Sequence, residues 1–161
     1  MPGLREGLRR ALLALLLAAL PWAAARAEGA IAVIAAPARA EARLDLDTLA
    51  LIYQRKRQYW PDGSRIQPVN LAADHPLRLA FSRAVLGMDA AALESYWNEQ
   101  YFRGVRPPYV VASSEAMLRF VAETPGAIGY VDACLAGEGV AVIGWLDDAG
   151  RWHHGRGLPP C

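Results

Sequence analysis

The sequence has no Gly-x-Ser-x-Gly elbow, no phosphate-cradling P-loop, no pair of carboxylates that stands out for acid–base work and no His-rich helix. Each of those patterns exists to present a reacting group or a metal in fixed geometry. Without them the chain reads as a non-enzyme with no cofactor. Cysteine is scarce: there are two, Cys134 and Cys161, and His153-His154 lie between them. That spacing lacks the short ligand steps of a zinc site. Two adjacent histidines on an expected strand also point to opposite faces, so they do not readily share one metal. Asp62-Gly63 belongs to a turn rather than a metal loop, which leaves no metal expected. Internal repeats and low-complexity tracts are missing as well. Only one long apolar run occurs, Ala11 to Leu20, and it is about half of what spans a bilayer.

That run has a context. Arg5, Arg9 and Arg10 precede it, Pro21 and Trp22 break it, and Ala25-Arg26-Ala27 follows with small residues at the spacing a signal peptidase reads. Residues 1–27 are therefore expected to be a signal peptide, cleaved after Ala27, with residues 28–161 exported across the inner membrane to the periplasm as a single α/β domain. A chain of that length buries about two thirds of its unfolded surface and folds without staples. Of 17 basic and 16 acidic residues the signal carries four Arg and one Glu, so 13 and 15 are left and the formal charge is −2. Such a balance argues against nucleic acid or an acidic membrane face as the partner. In an exported chain, Cys134 and Cys161 are candidates for a disulfide worth roughly 3–4 kcal/mol in the chain-entropy model. Two unpaired thiols are the alternative.

The exported part alternates strands and helices. "AIAVIAA" (30–36) is continuous, apolar and β-branched, which suits a strand buried on both faces. Asp47 is placed to cap a helix from Thr48 to Gln54. "WPDGS" is a turn, and Ile66 to Val69 a short strand in which Pro68 signals an edge or an early end to pairing. Asp74 or His75 caps the next helix, Pro76 starts it and Gly87 ends it, with Leu77, Phe81, Ala84 and Val85 as its buried stripe. Asp89 caps a helix running to about Tyr101, and Ser113 or Ser114 caps another that carries Met117, Phe120 and Val121 inward. "AIGYV" (127–131) is a second buried strand, in which Tyr130 needs a partner for its hydroxyl. "VAVIGW" and "RWHH" read as a closing hairpin around "DDAG". Trp60, Tyr96, Trp97 and Tyr101 could form an aromatic platform for a sugar or base, but helical spacing favours core packing.

The order of motifs, "LALIYQRKRQYWPDGSRIQPV", then "AVLG", "YFRG" and "VAETPGAIGYVD", resembles the periplasmic phosphate-binding proteins of ABC transporters. It is more similar to their short relatives, which keep little more than one lobe of the type 2 periplasmic-binding-protein fold. The resemblance covers about Ile31 to Asp132 and implies an α/β lobe with a mixed sheet flanked by helices, export, no cofactor and no catalysis. In full-length phosphate binders the strand-to-helix segment carries an Arg and then Ser-Gly-Thr at the helix start. Here Asn70 and Leu71 stand at the strand end, and His75-Pro76-Leu77 takes the place of Ser-Gly-Thr. The hydroxyls are gone, and Pro76 has no N–H to give.

Asn70, Asp74, His75 and Arg78 are accordingly the candidate ligand-binding residues, for phosphate or another small anion held weakly or no longer held at all. His75 and Arg78 could add charge to the helix start, and His75 more so when protonated. Both have ordinary readings, His75 as a cap and Arg78 as a solvated side chain. A different class of reading makes the chain an envelope interaction or regulatory module. Its open face would dock a membrane transporter or sensor protein, or a second copy in a homodimer that rebuilds a cleft.

Overall fold

A segment with no polar face must be covered on both sides. Ile31–Ala35 (β1) meets that demand, with all five residues buried. In the computed structural model, which describes residues 29–155 and 157–158, the chain continues through α1 (Leu46–Tyr53), β2 (Gln67–Asn70), α2 (Pro76–Phe81), α3 (Ala90–Phe102), β3 (Tyr109–Val110), α4 (Ser114–Glu123), β4 (Ala127–Asp132), β5 (Ala141–Leu146) and β6 (Trp152–His154). The strands form one six-stranded sheet in the order β3-β2-β4-β1-β5-β6. β2 runs parallel to β3 and β4, while β1 is antiparallel to β4 and β5, and β5 to β6. Parallel neighbours need crossovers. α2 and α3 supply one between β2 and β3, and α4 supplies the other between β3 and β4. The result is the mixed sheet flanked by helices that the alternation predicts.

Most helix starts follow their local chemistry. Asp89 Oδ1 accepts from Ala92 N at 2.8 Å, and Ser113 Oγ accepts from Ala116 N at 3.2 Å. α1 differs from expectation: its cap is Asp45, whose Oδ1 accepts from Thr48 N at 2.7 Å, and Asp47 lies inside the first turn. The earlier start puts Leu46 one turn below Leu49 and Ala50, where it packs on the core. Asp47 still faces the positive end of the helix dipole. α2 keeps α geometry only to Phe81. Ser82–Leu86 winds as a π-turn, which no sequence signal announced, before Gly87 closes it at φ 64°.

The core centres on three rings. Phe81 stacks on Tyr130 at 3.9 Å, and Tyr53 meets Phe81 edge-on at 4.7 Å. The Tyr53 hydroxyl donates toward the carbonyls of Val69 (3.2 Å) and Ile128 (3.3 Å), and so ties α1 to both β2 and β4. Burial pushes that phenol well above its ordinary range. Trp60 is buried too, with Nε1 donating to Gly126 O at 3.1 Å. The core-packing expectation fails for Tyr101. Along α3 burial falls from Leu93, through half-buried Tyr96 and Trp97, to Tyr101 at 71% exposure. The buried face runs through Leu93, Tyr96, Trp97 and Gln100, which stays half-buried in the last turn, and Tyr101 falls one position off it.

The closing hairpin is held at Asp147. Its carboxylate accepts from Ala149 N, Arg151 N and Arg151 Nε at 2.8–3.0 Å and meets His153 Nε2 at 3.0 Å. His153 in turn stacks on Trp145 at 4.1 Å, while His154, on the other face, approaches Trp152. The His153 bond first, then the Arg151 amide, hold the Asp147 carboxyl well below its ordinary 3.8. A depressed acid stabilises the fold only while ionised. Its contribution is therefore complete above the ordinary value and is lost as pH falls below it. Thermal unfolding between about pH 2 and 7 is expected to show an acid limb that Asp147→Asn flattens; an unchanged limb in that variant would remove Asp147 as its source.

Cys134 sits in the turn after β4, its N–H donating to Asp132 Oδ1 at 2.9 Å. The expected bridge partner Cys161 and the expected signal segment lie outside the described residues. Among the described residues, no helix is long and apolar enough to cross a membrane.

Candidate functional site

β2 positions the site. Pro68 lacks an N–H to donate, yet the ladder to β3 begins only at Val69–Tyr109, so the proline occupies the open part of that edge. Asn70 ends the strand and is 6% exposed. Its Oδ1 accepts from the Tyr130 hydroxyl at 3.0 Å, and its carbonyl accepts from Val111 N at 2.9 Å. The same Tyr130 oxygen lies 3.5 Å from Leu71 N, a long contact along which that amide donates. Tyr130 thus finds the partner its burial demands. Burial pushes the phenol up, against the opposing pull of the Leu71 amide and the Arg78 charge.

Arg78 is not solvated. It is 8% exposed, and its guanidinium donates from Nη1 to Leu71 O at 2.7 Å. Its Nε is buried and has no hydrogen-bond partner among the described residues. Leu71 is therefore gripped from both sides, by Tyr130 at its amide and by Arg78 at its carbonyl. The structure brings Asn70 and Arg78 together around that one residue. Asp74 and His75 lie farther along the loop, with Asp74 exposed and His75 half-buried.

His75 works as a cap: its Nδ1 accepts from Leu77 N at 3.1 Å. The loop turns on itself just before, where His75 N donates to Ala72 O at 3.0 Å. A proton on Nδ1 would remove that acceptor, so added charge on His75 competes with the helix start. Of the first two helical residues, Pro76 has no N–H and Leu77 has committed its own to His75. Two of the donors that would have to replace the water around an anion, Arg78 Nη1 and the Leu77 amide, are thus engaged inside the loop. Nothing in the sequence signalled the inward turn of Arg78, because its partner is a backbone carbonyl seven residues earlier.

No protein-family model matches the chain, and none of the curated proteins is significantly similar. Solved structures are. An ABC-type phosphate transport receptor from Vibrio cholerae superposes with a TM-score of 0.56 at 19% identity, over 70% of this chain and 44% of the receptor. A structure from Clostridium perfringens with bound phosphate, described as a phosphate ABC transporter substrate-binding protein, gives 0.55 at 22% identity over 70% and 43%. PstS from Borrelia burgdorferi gives 0.56 at 16% identity over 82% and 49%. The chain spans less than half the length of each. At these identities the likeness concerns the fold: the mixed sheet matches a lobe of these binding proteins, as the motif order implied.

Proposed function

We propose that this chain is an exported, non-catalytic binding-type lobe related to phosphate-transport binding proteins, in which oxyanion binding at the β2–α2 loop is weak or lost. The signal segment 1–27, removed after Ala27, and a periplasmic location belong to the same reading. The observation that carries it is the engagement of two of the loop's donors: Arg78 Nη1 is bonded to Leu71 O and Leu77 N–H to His75. A ligand held by one lobe stays partly in water, where charge–charge attraction is several times weaker than in an enclosed site.

Calorimetric titration with phosphate, sulfate and carboxylates is expected to give no micromolar affinity, and any weak binding at this loop should fall in His75→Ala and Arg78→Ala. Micromolar phosphate binding by a monomer, lost in those variants, would overturn the reading.

A second reading, docking of a membrane transporter, a sensor or a second copy, has its own observation. Tyr101, Phe102 and Tyr109 are 71%, 88% and 63% exposed within nine residues of chain, and exposed apolar surface is what a docking face presents. Co-sedimentation with native envelope vesicles, abolished by Phe102→Ser, is its expected result; no co-sedimentation of the parent chain removes it.

A further inference from the structure

β2 has a second end. Its start, at Gln67, lies three residues from Asn70, roughly 10 Å along a strand. A cavity of about 210 Å³ opens there, and Arg55, Arg65, Pro107, Pro108 and Tyr109 are among its walls. Two guanidinium-bearing residues share this small space, and no carboxylate among the described residues lines it. Neither forms an ion pair among the described residues: the Arg65 side chain makes one long bond, 3.4 Å to Gln58 Oε1, and the Arg55 side chain makes none. Burial, and then the neighbouring Arg65 charge, lower the pKa of Arg55. Two like charges at one cavity, with no carboxylate among its described walls, make the potential there positive.

The backbone presents both residues on short turns. Arg55 follows the last turn of α1 at φ 62°, the single positive-φ residue other than glycine among the described residues. Glycine is the usual occupant of that position, because a Cβ there crowds the following carbonyl oxygen. Strain of this kind is a reason to ask what the side chain does. Arg65 is fixed by the bridge to Tyr59 and by the entry to β2. The opposite wall is stiff. Pro107 and Pro108 are conformationally locked, and the Tyr109 ring stacks on Phe120 at 5.3 Å.

The geometry points to an oxyanion site formed by Arg55 and Arg65 at the start of β2, for a phosphate group borne either by a soluble phosphomonoester or by a lipid headgroup. Guanidinium forks match phosphate oxygens in paired hydrogen bonds. The cavity is below the roughly 300 Å³ at which drug-sized ligand pockets begin, so it takes the charged group and leaves the rest of the molecule against the proline–tyrosine wall. This site is separate from the β2–α2 loop and does not depend on whether that loop binds.

The test titrates the full-length chain with inorganic phosphate and phenyl phosphate, and with vesicles of phosphatidylglycerol against phosphatidylcholine. Arg55→Gly is the decisive variant, since glycine sits at ease at φ 62° and leaves the fold intact or raises its Tm. Binding to at least one phosphate-bearing probe is expected, with a loss of tenfold or more in both Arg55→Gly and Arg65→Gln and no loss in Arg119→Gln, which removes an exposed guanidinium on α4. Soluble phosphates alone would assign the site to phosphomonoesters, and phosphatidylglycerol vesicles alone to headgroups. Absence of binding to every probe overturns the proposal. So does affinity that Arg55→Gly and Arg65→Gln leave unchanged, or that only Arg78→Ala reduces, which would place the anion at the loop.

Discussion

Phe81→Ala is expected to lower the unfolding free energy by roughly 3–5 kcal/mol, the range for emptying a buried phenylalanine site. Phe81 is 1% exposed and lies between Tyr130 and Tyr53. Its removal deletes a stacked pair and an edge-on pair, each worth about 0.5–1.5 kcal/mol beyond area burial. The surrounding structure has little freedom to collapse into the gap, because both tyrosines are pinned by their hydroxyls, Tyr53 to the Val69 and Ile128 carbonyls and Tyr130 to the Asn70 side chain. Set against a total stability of about 5–15 kcal/mol for a domain, that loss takes a large share. Urea unfolding with an unchanged m-value would locate the effect in the native state. Tyr101→Ala is the control and should fall within about 0.5 kcal/mol, as exposed substitutions do. A Phe81→Ala loss below about 1 kcal/mol would mean that the three rings are not the centre of the core.

Gly126→Ala is expected to cost about 3 kcal/mol. Gly126 holds φ 82°, a conformation that an L side chain adopts at roughly 1–2 kcal/mol. A Cβ there would also press into the Arg65 carbonyl oxygen, well inside contact distance. That oxygen is backbone, so relief requires moving the chain, and overpacking adds roughly 1–3 kcal/mol. Two further bonds depend on the same residue: Gln67 N and Trp60 Nε1 both donate to the Gly126 carbonyl, at 3.0 and 3.1 Å. Gly63 has the same φ of 82° with nothing within 4 Å of the added carbon, so Gly63→Ala isolates the conformational part. Thermal unfolding of the two variants should separate them clearly. Equal losses would show that the contact with Arg65 yields without cost. Because Arg65 also lines the cavity at the start of β2, Gly126→Ala should loosen that site as well.

The sequence by itself determined what short-range chemistry decides. Uninterrupted apolar runs placed β1 and β4 inside, and side-chain acceptors at Asp89, at Asp74 or His75, and at Ser113 or Ser114 marked where three helices begin. Gly87 marked where one ends, and the "DDAG" turn joined the last two strands. Each of these rests on groups within a few residues of one another, so the residue types suffice. The replacement of Ser-Gly-Thr by His75-Pro76-Leu77 was legible for the same reason. Even within that range there were slips: Asp45 and Asp47 are near-equal caps, and the choice between them fell to the packing of Leu46. The tertiary structure alone decided the rest. It turned Arg78 inward onto Leu71, left Tyr101 uncovered, and set the hydroxyl of Tyr130 against Asn70, sixty residues away. It also brought Arg55 and Arg65 together with Pro107, Pro108 and Tyr109 around one cavity. Burial and charge at those positions depend on which distant segment lies opposite, and strand order, which no local pattern encodes, settles that.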